Sequence, residues 1–590
     1  MVDRGRPRWR RIVAGTLGLV VAAFTGYVAA AGQTPSSTPT AEPLPIWLRT
    51  PSPPPSGSTP PPAPTVVPLG SPAPSGGAVP LPSGAPAIPP GPAATPIPTP
   101  SPSPTPIPLE VSPSPANVTP GGTVVLHLRN AVGMIAIRLY DDKIAAVVDQ
   151  VAQTVTITGK TAGLSAIDIS DGRPMTRSIT VRVAQLAGTV GAATSIRLTG
   201  DPASNAYVKR QIVAAAAAIA SPRPGANVSI DPDAIGLTGS LGQDDTFDVN
   251  LPVYLQGEDY FDVTGTTHVH VDNVALPRIR PRSLLVSDYP ETLKANGVLF
   301  TADLTGDGAE RFLYYHYNPP GQPDRKIALL VQNPAPTPAV IQMIDGTAGP
   351  SKFEMEVGHL STQRFLVREA QNEGHLITIP PSSVTTLATQ GLPAGDVASS
   401  ILQLRELSGD TLHLTLLALD AGDPIALPGP GSALLTGTAK HARGIYPIPE
   451  FYFDYTYKTD EPSLTVPIGQ IPLPNLLQGE ALGGDYGVLQ SITVRIVNSD
   501  ARNPAQVALF ANPRGGKATG TFLIDRTLVQ AHAMPTYGFY KLREYVIPPG
   551  GVVRTQIVTM PEGGSSYPLD LIVGPDDGSA SPGSPESLVY

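Results

Sequence analysis

Residues 153–170 read QTVTITGKTAGLSAIDIS, two runs of alternating apolar and polar side chains joined by a short glycine-containing segment. A period of two places every second side chain on one face of an extended strand, so that one face is buried and the other meets water. The same alternation recurs in residues 123–130, 134–140 and 177–183. About seven such strands in close succession are typical of an Ig-like sandwich, which the sequence predicts over residues 109–185.

Four segments of this region also carry a family resemblance. They are PGGTVVLHL at residues 120–128, IAAVVDQ at 144–150, VTITGKTAGLSAIDISDG at 155–172 and ITVRV at 179–183. Together they resemble the Ig-like N-terminal domain of pilus-assembly and secretin-type proteins, over about residues 109–185 only. The resemblance implies a module that faces the cell envelope and interacts with other components there.

Residues 186–280 contain the clearest helical pattern. Asp201 is suited to the N-cap and Pro202 to the first helical position, and an alanine-rich stretch runs from there to Ser221, before Pro222. Alternating strands follow this helix, so the sequence predicts a small α+β domain over residues 186–280.

Residues 281–425 and 426–575 are predicted to be two β-sandwiches that arose by duplication. An isoleucine followed by two prolines occurs at Ile379 and again at Ile547, and a further proline follows each at the same spacing, at Pro393 and Pro561. Because both landmarks are displaced along the chain by the same offset, the pattern favours a repeat. In the second copy, a strand places four aromatic residues on one face, which predicts core packing: Phe451, Phe453, Tyr455 and Tyr457.

The N-terminal part of the chain predicts export and a stalk. Five arginines precede the apolar residues 12–32, so residues 1–33 are either a cleaved signal peptide or a retained membrane anchor with the N-terminus inside. Of the chain's 70 prolines, 31 lie in residues 34–120, so residues 34–108 are predicted to be a disordered proline-rich linker. Residues 576–590 are predicted to be a disordered tail.

Composition excludes several classes of function. The 590-residue chain has no cysteine, so disulfides, thiolate metal sites and cysteine nucleophiles are excluded. Its formal charge is −9, and a nucleic-acid partner is not expected because phosphate binding needs a basic face. No catalytic motif points to an enzyme.

The sharpest local motif is DLTGDGAE at residues 303–310. It resembles the calcium loops of integrin-like repeats and EF-hands, in which oxygen ligands alternate around a glycine turn. The ligands would be Asp303, Thr305, Asp307 and Glu310. The alternative is a tight hairpin turn between two strands, with the glycines supplying positive φ.

Histidines suggest a second candidate site. His268 and His270 lie two apart on a predicted strand and therefore share a face, an arrangement that zinc sites use. A third ligand would have to come from elsewhere in the chain, and His316 and His359 are the candidates. The alternative is a pair of strand histidines on a polar face.

These observations together predict a mainly β protein of tandem Ig-like and β-sandwich domains, with one small α+β domain, that follow a proline-rich stalk. We expect an exported, envelope-tethered, non-enzymatic protein that acts in adhesion, scaffolding or envelope assembly. The alternative is a glycan-binding surface module stabilised by calcium. The expected partner is an envelope protein or a glycan, and the N-terminal segment contacts the membrane if it is not cleaved. No other cofactor is expected.

Overall fold

The structure is a computed structural model that describes residues 107–578 except 307 and 430. The export segment 1–33, nearly all of the stalk 34–108 and most of the tail 576–590 therefore lie outside the described residues. Within the described part of the chain, no helix is long and apolar enough to cross a bilayer. The fold is mainly β and consists of packed sheets, which confirms the predicted fold class.

The first module is a sandwich of two four-stranded sheets, β1-β3-β6-β5 and β2-β8-β7-β4. Its strands are β1 (Glu110–Ser112), β2 (Ala116–Val118), β3 (Thr123–Arg129), β4 (Ala136–Leu139), β5 (Ile144–Asp149), β6 (Thr154–Gly159), β7 (Gly163–Ser170) and β8 (Thr176–Val183). This layering follows from the alternation in the sequence, because each strand places its apolar side chains on one face. The apolar faces of the two sheets then meet in one core. Leu126, Ile157, Ile167 and Val181 are all fully buried there.

The second module packs one helix, α1 (Asn205–Ala218), on a sheet. Its strands are β9 (Gln185–Leu186), β10 (Gly188–Val190), β11 (Ala193–Thr199), β12 (Ala220–Pro222), β13 (Asn227–Ser229), β14 (Thr246–Gln256), β15 (Tyr260–Phe261) and β16 (Val263–Asn273). The helix begins later than predicted, with Ser204 rather than Asp201 at the N-cap. Ala203 exchanges two backbone hydrogen bonds of 2.9 Å with Leu241, which holds the preceding residues outside the helix.

The third module is a sandwich with a helix, α2 (Glu354–Ala370), packed on the outer face of one sheet. Its strands are β17 (Pro281–Ser287), β18 (Gly297–Leu304), β19 (Ala309–Tyr317), β20 (Arg325–Asn333), β21 (Ala339–Ser351), β22 (Gly374–Ile379), β23 (Ser383–Leu392), β24 (Val397–Ser408) and β25 (Leu412–Asp420). One sheet has the order β18-β25-β20-β23. The other continues into the second module, because β22 pairs with β11 through His375 and Gly374.

The last module supplies one strand to its neighbour before it forms its own sandwich. Strand β26 (Arg443–Tyr446) pairs with β17 and completes a ten-stranded sheet of order β13-β14-β16-β11-β22-β21-β24-β19-β17-β26. The two further sheets are β27-β29-β34-β31-β32 and β28-β35-β30-β33. Their strands are β27 (Glu450–Lys458), β28 (Leu464–Ile468), β29 (Leu489–Val497), β30 (Ala505–Pro513), β31 (Ala518–Ile524), β32 (Thr527–Met534), β33 (Tyr540–Ile547), β34 (Val552–Thr559) and β35 (Leu569–Pro575).

The third and fourth modules share the strand order of one sheet and one hydrogen-bond pattern at a strand end. The order β22-β21-β24-β19 in the third corresponds to β33-β30-β35-β28 in the fourth. Asn333 Nδ2 donates to the carbonyls of Ile379 and Pro380, and Asn498 Nδ2 donates to those of Ile547 and Pro548. Both asparagines are buried at equivalent strand ends. These correspondences support the predicted duplication, which we retain as an interpretation.

The four aromatic residues of β27 that the sequence placed on one face do lie on one face of the strand, whereas Tyr452 lies on the other. Phe451, Phe453 and Tyr455 stack successively, with ring centroids 5.8 and 6.0 Å apart. Tyr457 is buried in the core of the fourth module, and Phe453 and Tyr455 pack against that core. The stripe is therefore part of the core packing.

Candidate functional site

The residues of the predicted calcium loop have other partners in the structure. Arg282 donates to Glu310 Oε1, at 2.8 Å from Nη2, and to Thr305 Oγ1 at 2.9 Å. Asp303 Oδ1 lies 2.6 Å from Nδ1 of His413. A guanidinium thus occupies the space beside Thr305 and Glu310, and Asp307 lies outside the described residues. The calcium loop stays a prediction.

The alternative interpretation of this loop, a tight hairpin turn, was wrong. Strand β18 pairs with β25 in one sheet, whereas β19 pairs with β17 and β24 in the opposite sheet. The loop therefore crosses from one layer of the sandwich to the other. Alternation along each strand indicates which face is buried, but it does not specify which strand lies alongside.

The strand histidines do share a face, and aspartates surround them. His270 Nδ1 lies 2.8 Å from Asp248 Oδ1 and its Nε2 lies 3.0 Å from Asp272. His268 Nε2 lies 3.2 Å from the same Asp248 oxygen. The hydrogen bond with Asp248 raises the pKa of His270. These contacts make an exposed ion-pair cluster on the sheet of the second module.

The other two histidines considered as zinc ligands are buried elsewhere. His316 lies 3.2 Å from the hydroxyl of Ser287 and 3.0 Å from the carbonyl of Pro290. His359, on α2, lies 2.9 Å from Glu562 Oε2. Each therefore has its own buried partners, and neither contributes to the pair on β16.

Three side chains that sequence reasoning missed converge where β17 ends. The backbone of Asp288 donates to the carbonyl of Ala442, which continues the β17–β26 ladder by one residue. This register brings His441 beside Asp288, with Nδ1 3.3 Å from Oδ2, and its Nε2 lies 3.1 Å from Glu291 Oε2. The carboxylates and the histidine lie far apart along the chain, so no local motif could reveal the cluster.

The pKa values of two residues in this cluster, Asp288 and His441, are both raised. Desolvation raises the pKa of Asp288 to about 6, against the effect of the hydrogen bond with His441, and the charge of Glu291 adds to the rise. The hydrogen bond with Asp288 raises the pKa of His441. Oδ1 of Asp288 is buried and has no hydrogen-bond partner among the described residues. The cluster is therefore a set of three partly buried titratable groups in mutual contact, with one carboxylate oxygen left without a partner.

Two cavities meet at this cluster. One, of about 340 Å³, is lined by Pro290, Glu291, Lys294, Gly437 and His441 among others. The other, of about 390 Å³, lies between the third and fourth modules, and we call it the cleft. Its lining includes the three cluster residues together with Tyr315, Lys440, Glu480, Tyr486 and Ser565. Glu291 and His441 belong to both walls.

Beside the cleft, the third and fourth modules are joined by buried charges. Arg311, on β19, is completely buried and donates from Nη2 to Glu450 Oε1 and from Nη1 to the carbonyl of Pro449, both at 2.7 Å. Its guanidinium also lies over the ring of Phe365, 5.3 Å from the centroid. Arg311 and Phe365 belong to the third module, whereas residues 449 and 450 belong to the start of the fourth.

A second buried contact joins α2 to the fourth module. His359 Nδ1 contacts Glu562, and its Nε2 lies 3.0 Å from Gln530 Oε1. Thr519 donates its hydroxyl hydrogen to the same Glu562 oxygen. The approach is so close that a Cβ on Gly358 would lie 1.7 Å from the carbonyl oxygen of Gly563. The two modules are therefore packed backbone to backbone at this point.

Comparisons with known proteins give structural matches at low sequence identity. No family model and no curated protein matches the chain. The human desmocollin-1 ectodomain is 10% identical with a TM-score of 0.12, and the match covers 33% of this chain and 48% of that one. The chain thus spans about half of that ectodomain.

Two other structures match over a larger share of this chain. Domains 5–6 of the S-layer protein SbsC are 11% identical over 49% of this chain and 97% of that one, with a TM-score of 0.13. SGBP-B of the Bacteroides ovatus mixed-linkage glucan utilization locus, in complex with a mixed-linkage heptasaccharide, is 12% identical over 52% and 75%, with a TM-score of 0.13. All three scores are far below 0.5, so these matches carry no argument about function.

Proposed function

We propose that the chain is an exported, envelope-tethered surface protein that acts without catalysis, in adhesion, scaffolding or envelope assembly. The observation that carries the proposal is the buried contact between the third and fourth modules. A surface protein that holds a partner needs modules that keep a fixed relation to one another while they carry load. Buried ionic and backbone contacts provide this, whereas modules on a flexible linker do not.

The energetics of the contact support a rigid unit. Removing one partner of a buried ion pair typically costs about 3–5 kcal/mol, because the other charge is left without compensation in a dry environment. Arg311 and Glu450 form such a pair across the modules, and their side chains are 0% and 7% exposed. The second and third modules add a shared sheet through β11 and β22. Modules two to four are thus held together by contacts whose separate loss is costly in free energy.

Co-sedimentation of the purified full chain with envelopes of its own cells tests this proposal. The envelopes are used untreated, after protease and after muramidase, with chain alone as the control. We expect binding that is lost on protease treatment, because a scaffold of this kind recognises an envelope protein. Sedimentation no greater than that of the chain alone would contradict the proposal.

A glycan-binding role is the second candidate, and the cleft favours it. Ligand sites are typically concave, with a few converging polar groups among apolar ones. The cleft offers Tyr315 and Tyr486 beside the ion pair of Lys440 and Glu480, whose charged atoms are 3.1 Å apart. Calcium at the predicted loop stays part of this alternative. It is tested by the melting temperature at millimolar calcium in the wild type and in Asp307→Ala.

Variants of two surface lysines test the glycan role directly. Lys440→Ala removes a cation at the cleft, and Lys458→Ala removes one from an exposed pair with Glu461 on the same module, away from the cleft lining. If the cleft binds glycan, sedimentation survives protease, is lost after muramidase and weakens in Lys440→Ala alone. Equal sedimentation of both variants would exclude the cleft.

A further inference from the structure

We propose that Asp288, Glu291 and His441 form a binding site for a divalent transition-metal ion, with zinc as the ion to test, at the wall of the cleft. The proposal goes beyond the surface role above and does not depend on it. One ligand atom from each of the three residues lies within 4.8 Å of the other two. In the part of the chain that the structure describes, this is the one group with that geometry.

The donor set matches the ion. An imidazole nitrogen and two carboxylate oxygens are ligands that zinc takes in proteins, at about 2.0–2.2 Å. Bonds of that length in a tetrahedral arrangement place neighbouring ligand atoms roughly 3.3 Å apart. His441 contacts the two carboxylates through different ring nitrogens, Nδ1 at 3.3 Å from Asp288 and Nε2 at 3.1 Å from Glu291. An ion would take one of these nitrogens in place of the hydrogen bonds, and turns of the three side chains from their present separation of at most 4.8 Å would close the ligand set around it.

An unsatisfied atom is an independent sign of a missing ligand. Buried carboxylate oxygens normally have a hydrogen-bond or metal partner, because burying one without a partner is costly. Oδ1 of Asp288 is buried with no partner among the described residues, although Oδ2 of the same group faces His441. A cation bound by both oxygens of Asp288 would supply what Oδ1 lacks.

Two nearby cations, Lys440 and Arg443, contact partners other than the carboxylates of the cluster. Lys440 is paired with Glu480 at 3.1 Å, and its side chain is 82% exposed. Arg443 donates to the carbonyls of Leu435 and Tyr289. His441 is therefore the group that faces both carboxylates directly, and a divalent ion would balance the two charges without requiring a protonated imidazole.

Three protein ligands leave the ion a further position. Zinc sites with three protein ligands keep a fourth position for water or an exogenous ligand. Because all three residues line the cleft, that position would be supplied from the cleft. The class of ligand that fits it is an oxygen donor, such as a carboxylate or a hydroxyl group of a bound molecule.

Calorimetric titration of the metal-free full chain with zinc alone tests the site. We expect saturable binding at a site that Asp288→Asn and His441→Ala each weaken by more than about 100-fold, because losses at groups that only orient ligands already reach 10–100-fold. Asp288→Asn keeps the side-chain volume, so it separates loss of a ligand from misfolding. Cobalt in place of zinc should give d–d absorption bands that both variants lose.

Two control variants decide whether the site is the one proposed. His413→Ala removes the histidine of the exposed pair with Asp303, and the double variant of His268 and His270 to alanine removes the strand pair on β16. Both should leave the Asp288–His441 site intact. The proposal is overturned if no saturable binding is seen, or if binding survives in Asp288→Asn and His441→Ala and is lost in the His268 and His270 variant. Either result leaves the envelope-binding assay unaffected.

Discussion

Replacing Arg311 by methionine should loosen the third and fourth modules without unfolding either. Methionine keeps apolar contact with Phe365, but it leaves Glu450 as a buried charge and removes one of the two donors to the carbonyl of Pro449, which keeps the backbone N–H of Leu489. Loss of one partner of a buried ion pair costs about 3–5 kcal/mol. Since each 1.4 kcal/mol is a factor of ten, local opening should become roughly 100- to 4,000-fold more frequent.

Amide hydrogen exchange measures this opening strand by strand. Exchange should accelerate in peptides from β19 and β27 and stay unchanged in the first module, whose strands form a separate sandwich. The double variant of Arg311 and Glu450 to methionine should recover most of the protection, because it leaves no buried charge. Arg554→Met is the matched control, since Arg554 and Asp454 form an exposed pair 3.8 Å apart, and such pairs contribute little.

A stabilising role for the buried pair would be refuted by an Arg311→Met protein whose β19 and β27 peptides exchange within about threefold of the wild type, since that corresponds to less than about 1 kcal/mol. It would also be refuted if Arg554→Met had an equal effect. In the first case the buried pair would contribute no stability to the contact. In the second, burial would not be what distinguishes the two pairs.

Three further predictions concern the same contact and the duplicated modules. Burial alone would lower the pKa of His359, but the charge of Glu562 raises it above 6.5. Burial alone would raise the pKa of Glu562, but the charge of His359 holds it below 4.5. The contact should therefore be most stable between about pH 4.5 and 6.5. It should weaken as the pH rises through the pKa of His359, and also as the pH falls through the pKa of Glu562. Amide exchange in α2 measures this, and constant protection of α2 from pH 5 to 9 would contradict it. Gly358→Ala should disrupt the same contact, because its Cβ has no room, whereas Gly391→Ala has open space and should be neutral in thermal unfolding. Asn498→Ala should lower the free energy of unfolding of the fourth module by about 1–3 kcal/mol, because the buried carbonyl of Ile547 loses the hydrogen bond from the Asn498 amide. An unchanged free energy of unfolding in denaturant would be evidence against this role.

The strands and the layered fold could be predicted from the sequence because both are encoded locally. Alternation in residues 153–170 already places Ile157 and Ile167 inside. The start of α1 was misplaced by a few residues because a distant backbone contact at Leu241 overrides the local capping signal of Asp201.

The candidate site could not be predicted, because its geometry is not local. His441 meets Asp288 and Glu291 only through the pairing of β26 with β17, which no local pattern encodes. The predicted calcium loop, which stays a prediction, also has contacts that the sequence does not reveal. Its residues read as a compact ligand set, yet Arg282 from a neighbouring strand makes the contacts to Thr305 and Glu310.

A distance measurement between spin labels tests most directly whether the third and fourth modules form one rigid unit. The chain has no cysteine, so Val384→Cys on β23 and Val546→Cys on β33 introduce labels at exposed positions, 45% and 69% accessible, one on each module. We predict a single narrow distance distribution by pulsed electron paramagnetic resonance, which broadens when Arg311→Met is added. A broad distribution in the otherwise unchanged chain would contradict the proposed rigid surface scaffold.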